Sequence, residues 1–192
     1  MTNSKLKVVT LVTAPDESLY DLPDYPEGKM RVFLAGGITG CRDWQKECVE
    51  WLDEILYNDN NHNILVYNPR RDEWDINNPS VTYQQIEWEF RNLEKMDIFS
   101  MYFCTSDTSV GPICFYELGR YICRMQMRLP NSWQKRIIIS TDKGYSRADD
   151  VCYQTGFAGG GIRINENVTP KAHAWAIQNA IHDLEYCTEN FY

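Results

Sequence analysis

Residues 30–56 read MRVFLAGGITGCRDWQKECVEWLDEIL, and they decide the fold. Met30–Ala35 is short and apolar with a β-branched centre, which reads as a strand, and Gly36-Gly37 halts it. In Asp43–Leu56 the residues Trp44, Cys48, Trp51, Leu52 and Ile55 recur at three- and four-residue spacing, so a helix follows, with Asp43 as its natural N-cap. The same alternation continues outward. Lys7–Val12, Ile64–Tyr67, Asp97–Phe103 and Arg136–Ser140 read as strands. Thr82–Met96, Pro112–Met127 and Pro170–Tyr186 read as helices, and Gly156–Gly161 reads as a loop. Strands alternating with helices call for an α/β fold, a mainly parallel sheet covered on both faces. No linker or repeat divides the chain, so a single domain is expected over residues 1–192, with 1–29 an N-terminal strand and loop and 30–192 the core.

Composition narrows the function. The 192 residues are 43% hydrophobic and 24% charged, as in folded globular chains. A net charge of −8 argues against a nucleic-acid polymer as partner, because phosphate backbones reward clustered Lys and Arg. A nucleoside or mononucleotide needs only a small local site and stays open. The seven cysteines form no C-x-x-C pair, which reads as buried thiols in a reducing cytoplasm. His62, His173 and His182 are too scattered for a metal site. No apolar run nears the roughly 20 residues of a membrane helix. Neither G-K-[ST] nor G-x-G-x-x-G follows the first glycines, so no cofactor is expected.

In parallel sheets ligands sit outside the carboxyl ends of the strands, here the loops Gly36–Arg42, Asn68–Trp74, Thr105–Gly111 and Asp142–Gly160. Gly36-Gly37 is either a plain tight turn or a place where a flat ligand approaches the backbone. Arg70 and Arg71, after Asn68-Pro69, either clamp a phosphate or carboxylate or bond to loop carbonyls at the surface. Trp44 and Trp74 either pack in the core or stack on a base, and Cys104 reads as a buried thiol. The carboxylates are sharper. At 100° per residue Glu89 lies near the stripe of Ile86, Phe90 and Leu93, while Glu87 and Glu94 fall to its side and read as solvated. An acid facing apolar surroundings has its pKa raised, which suits a proton donor. Glu117 lies early in the helix from Pro112, whose N-terminus would favour its ionised form. One acid held protonated and one held charged is what glycosyl-transferring sites use.

The strings VFLAGGITG, DWQ, NPRR, QIEWEFRNLEKMDI and SVGPICFYELGRY, in that order from about Val32 to Asp150, resemble the nucleoside 2-deoxyribosyltransferase-like family. The resemblance implies a flavodoxin-like three-layer sandwich with a sheet of about five or six strands. It implies a nucleophilic glutamate at E-L-G, here Glu117, and an acid eight residues before Asp97, which is Glu89, the residue already chosen by the helical wheel. The candidate substrate-binding set is Gly36, Gly37, Ile38, Trp44, Asn68, Arg70, Arg71, Asp97, Ser109 and Gly111. Better-known members carry an aspartate where this chain has Gly111, a place Ser109 or Asp107 would have to fill, and a tyrosine where it has Phe33.

The expected activity is cleavage of the N-glycosidic bond of a (deoxy)nucleoside or nucleotide, with the sugar passed to another base or to water. The alternatives are hydrolysis alone, a non-catalytic nucleotide-binding module in the same cleft, or a structural protein. The resemblance also implies a homo-oligomer, for which the last helix and the Phe191-Tyr192 tail are candidate contacts.

Overall fold

A computed structural model describes residues 8–16, 29–59, 64–72, 77–128, 136–158 and 162–190. Its strands are β1 (Val9–Thr13), β2 (Met30–Gly36), β3 (Ile64–Asn68), β4 (Ile98–Phe103), β5 (Ile137–Thr141) and β6 (Arg163–Asn165). Its helices are α1 (Trp44–Asn58), α2 (Pro79–Leu93), α3 (Pro112–Arg128), α4 (Ala148–Ala158) and α5 (Pro170–Asn190). All described strand pairs are parallel, in the order β1-β3-β2-β4-β5-β6. This is a flavodoxin-like arrangement with β1 added at the outer edge of β3.

Alternation along each strand sorts the core into two layers. Val32 and Leu34 of β2, Val66 of β3 and Ile138 of β5 face α1 and α5. Phe33 and Ala35, Leu65 and Tyr67, and Ile137 and Ile139 face α2, α3 and α4. Because both faces are covered, β4 and β5 are buried at every position. Asp43 caps α1 by accepting from the Lys46 amide at 3.2 Å, as its position in the sequence predicts. At the outer edge, Asp53 Oδ1 of α1 accepts from the amides of Val8 and Val9 at 2.8 and 2.9 Å.

Three expectations need correction. Residues 148–158 form α4, where a loop was expected; its Gly156 and weak apolar periodicity hid it. Strand β6 is only three residues and half-exposed, too short to show alternation. Helix α2 begins at Pro79, not Thr82: Asn78 Oδ1 accepts from the Ser80 amide, and Pro79 fits the first turn, where no N–H is needed. Trp74, Trp133, His62 and Phe191-Tyr192 lie outside the described residues.

His173 of α5 explains one buried polar group. Its ring nitrogens lie 2.6 Å from Ser100 Oγ of β4 and 2.6 Å from Ser140 Oγ of β5, so it pins α5 to the sheet. Burial holds its pKa down at about 3, so it is neutral. Unfolded, it returns to about 6.5. Below that pH the unfolded chain binds a proton the fold refuses, so stability is complete above about pH 6.5 and lost as pH falls toward 3. The loss amounts to about 2 kcal/mol at pH 5. Urea unfolding at pH 7 and pH 5 should show His173→Gln losing that much less stability on acidification than the wild type. Equal losses would mean another group governs.

Candidate active site

Strand order reverses at β2, which pairs with β3 on one side and β4 on the other. A crevice opens there outside the carboxyl ends of both strands. It is a cavity of about 590 Å³, within the range that takes a nucleoside-sized ligand. Gly36, Gly37, Ile38, Glu89, Ser109, Gly111 and Glu117 line it together, although they come from four separate parts of the chain. Phe33, Phe103 and Cys114 supply apolar wall.

The glycines are needed structurally and also expose the cleft. A Cβ on Gly36 would sit 2.2 Å from Tyr102 O and 2.7 Å from the Trp44 ring. On Gly37 it would sit 2.8 Å from Cys41 Sγ. Gly111 has φ +64°, a backbone glycine holds without strain and an aspartate would hold at a cost. Ser109 Oγ accepts from the Gly111 amide at 3.0 Å, so the serine shapes this loop as well as lining the cleft. Phe33 packs near Trp88 with ring centroids 6.0 Å apart.

Five candidates lie elsewhere. Trp44 is fully buried, stacked on Tyr102 and donating from Nε1 to Gly37 O at 2.9 Å, so it supports the turn from below and cannot stack on a ligand. Asn68 is buried and its Oδ1 accepts from the Arg70 amide at 3.0 Å. The Arg70 guanidinium donates to Gln45 Oε1 at 3.0 Å and Arg42 O at 2.9 Å, and lies 3.4 Å from Asp43. Arg71 Nε donates to Gln85 Oε1 at 2.5 Å. Loop and helix acceptors thus hold both arginines, and no Lys or Arg lines the cavity among the described residues. Asp97 precedes β4 and so sits at the amino end of the sheet, opposite the cleft; there Oδ2 accepts from the Arg31 amide at 2.9 Å.

The apolar stripe of α2 also differs from expectation. Gln85, Trp88, Asn92 and Leu93 are buried, whereas Ile86 and Phe90 are exposed, Ile86 at the cleft and Phe90 beneath the Arg120 guanidinium at 4.2 Å. Glu89 still reaches the cavity, because it sits one turn after Gln85 on the side facing α3. Glu87 pairs with Arg91. Glu94 is not solvated as expected: Arg120 and Arg124 both pair with it.

Both cavity carboxyls are pushed toward the protonated form. Burial raises Glu117 to about 8, the charge of Glu89 adds to this, and Arg120 opposes it. Burial also raises Glu89, against a hydrogen bond from Gln85 and the charge of Arg71. The expectation of an ionised Glu117 is thereby corrected. It is the sixth residue of α3, beyond the first turn where the helix dipole acts, so burial prevails. Gln85 was missed, although it stands four residues before Glu89 and so on the same helix face. Tyr145 was missed as well; it lines the cleft and donates to Val110 O at 2.7 Å.

The sequence profile described as "Nucleoside 2-deoxyribosyltransferase like" matches residues 29–129, more than half of the chain. The chain belongs to that family. The match covers β2 to α3 and so includes both cavity glutamates; it supports glycosyl transfer on nucleosides as the general chemistry. No curated protein matches the chain. Among solved structures, the receiver domain of a response regulator from Clostridium thermocellum is similar over 82% of this chain and 98% of its own, at 14% identity and a TM-score of 0.39. No described helix is long and apolar enough to cross a membrane, and no described group of His, Cys, Asp and Glu could hold a metal ion.

An acid raised this far weakens the fold at neutral pH. The unfolded chain releases the Glu117 proton near the ordinary value and the fold keeps it to about 8, so stability declines as pH rises between those limits. Glu117→Gln should therefore stabilise the protein at pH 7.5, on the order of 4 kcal/mol. The gain should vanish near pH 4.5 in thermal unfolding followed by circular dichroism. A variant no more stable than wild type at pH 7.5 would contradict the raised value.

Proposed function

We propose that the cleft breaks the N-glycosidic bond of a nucleoside by double displacement, with Glu117 as nucleophile and Glu89 as acid and base. One observation carries this reading: two carboxyls from different helices share one apolar cavity, close enough that the charge of Glu89 raises the proton affinity of Glu117. A carboxylate oxygen of Glu117 attacks the anomeric carbon as the bond to the base breaks, and the bonding pair leaves on the base nitrogen. A proton from Glu89 neutralises that nitrogen, leaving a glycosyl ester on Glu117 and an ionised Glu89. Glu89 then takes a proton from an incoming base or water, which attacks the same carbon and frees Glu117.

The pair needs a total of one proton for this reaction. The resting cleft raises the proton affinity of both acids, so the substrate-bound cleft has to leave the shared proton on Glu89 and Glu117 ionised. The cavity's described lining favours an unphosphorylated sugar, since its charged groups are acids and both candidate arginines are engaged elsewhere. A reducing cytoplasm fits the six described free thiols. Self-association is part of the same reading: exposed Ile86 and Ile113 flank the cavity, with exposed Tyr83 and Tyr116 on the same two helices.

A screen of nucleosides and their 5′-monophosphates for released base tests the reading. The wild type should favour nucleosides, and kcat/KM should fall on the alkaline side near pH 8. Glu117→Ala should lower turnover at least 10³-fold, and mass spectrometry should find a glycosyl adduct on Glu117 of the wild type. Free sugar without base exchange would make the protein a hydrolase. Bound nucleoside with neither adduct nor turnover would make it a binding module.

A further inference from the structure

Gln85 is buried on α2 between three groups, and its hydrogen bonds are fully determined. Arg71 Nε only donates, so the amide must present its oxygen there, at 2.5 Å. Both hydrogens of Nε2 are then spent, one on Pro69 O at 2.7 Å and one on Glu89 Oε1 at 2.6 Å. The amide cannot turn over without setting donor against donor. One end of the chain of contacts is anchored on the backbone that follows β3, and the other ends on a cavity acid.

We propose that Arg71 and Gln85 form a positioning relay that fixes Glu89 through Oε1 and leaves Oε2 as the only oxygen free to carry its proton. Arg71 lies outside the cavity lining, and Gln85, which lines the cavity beside Glu89, has its amide oxygen and both amide hydrogens committed to Arg71, Pro69 and Glu89. The relay serves two ends. It aims the proton, because a carboxyl with one oxygen tied cannot present it from the other side. It also stabilises the charged form of Glu89, since a donated hydrogen bond and a nearby guanidinium both favour a carboxylate. The groups facing the acid pair are Arg71 after β3, Cys114 and Arg120 on α3, Tyr145 after β5, and the Cys41 and Cys104 thiols at the cavity wall. Among them Arg71 attracts Glu89, while Arg120 attracts Glu117. Unlike Glu117, which accepts no described side-chain hydrogen bond, Glu89 has a built support for its anion. The relay thus prepares Glu89 for the half-reaction in which it receives a proton from the acceptor.

This inference rests on the acid–base role given to Glu89, and the two can fail separately. Glutamate carboxyls labelled with ¹³C are titrated by NMR in Glu117→Gln protein, where Glu89 is the remaining cavity acid. Adding Gln85→Leu should raise the Glu89 midpoint by about one unit, and adding Arg71→Gln should raise it in the same direction by less. Arg71→Lys, which keeps the charge, should restore part of that smaller shift. If Gln85→Leu does not fold, the Arg71 pair decides alone. A Glu89 midpoint that does not move with these changes overturns the relay, whatever the enzyme's turnover. If the midpoint moves but the wild type cleaves no nucleoside, the relay stands as a charge-setting contact and the glycosyl-transfer reading falls.

Discussion

The approach of Gly36 to the backbone of β4 is the constraint on which the cleft depends. A single added carbon at this position would overlap Tyr102 O, so β2 and β4 could not keep their register to the end of the strand. That register brings the last turns of the two strands level and lets their loops part in opposite directions. Trp44 completes the arrangement from the other layer. Its ring fills the space beneath the glycines, stacks on Tyr102 and meets the His173 ring edge-on. The floor of the cleft is therefore continuous with the core formed by α1 and α5, although the carboxyls above it come from the opposite helix layer.

The sheet was legible because its signals are local. Buried strands such as Ile98–Phe103 are apolar apart from Ser100, and Asp43 and Pro112 mark helix starts by chemistry that acts within one turn. The two cavity glutamates were legible for a different reason: the spacing of family motifs pointed to both, while the helical wheel reached Glu89 through a stripe that is only partly buried. What stayed hidden depends on tertiary partners. Nothing local says that Trp44 lies under a turn, that Asp97 faces the amino end of the sheet, or that the two arginines point into protein acceptors. The stripe of α2 misled because Ile86 and Phe90 were read as core, whereas the helix turns Trp88 and two amides inward. The direction of the Glu117 shift was missed for the same reason, since desolvation and a neighbouring acid act only once α2 and α3 are packed together.

Two acids in an apolar cleft stand apart from the buried polar groups that the fold pairs with protein partners. His173 shows the ordinary solution, with both ring nitrogens bonded and its charge suppressed. The cavity carboxyls are instead both left with proton affinities raised above those in solution. That is the condition in which a carboxyl can both give and take a proton near neutrality.

Glu94 gives this arrangement a further turn. It never enters the cleft, yet it holds Arg120 and Arg124 on the flank of α3, with Arg120 also lying across Phe90. Arg120 is one turn beyond Glu117 and would be its obvious counter-ion. By sharing that guanidinium, a bystander acid leaves the neighbouring carboxyl only partly compensated by its own helix.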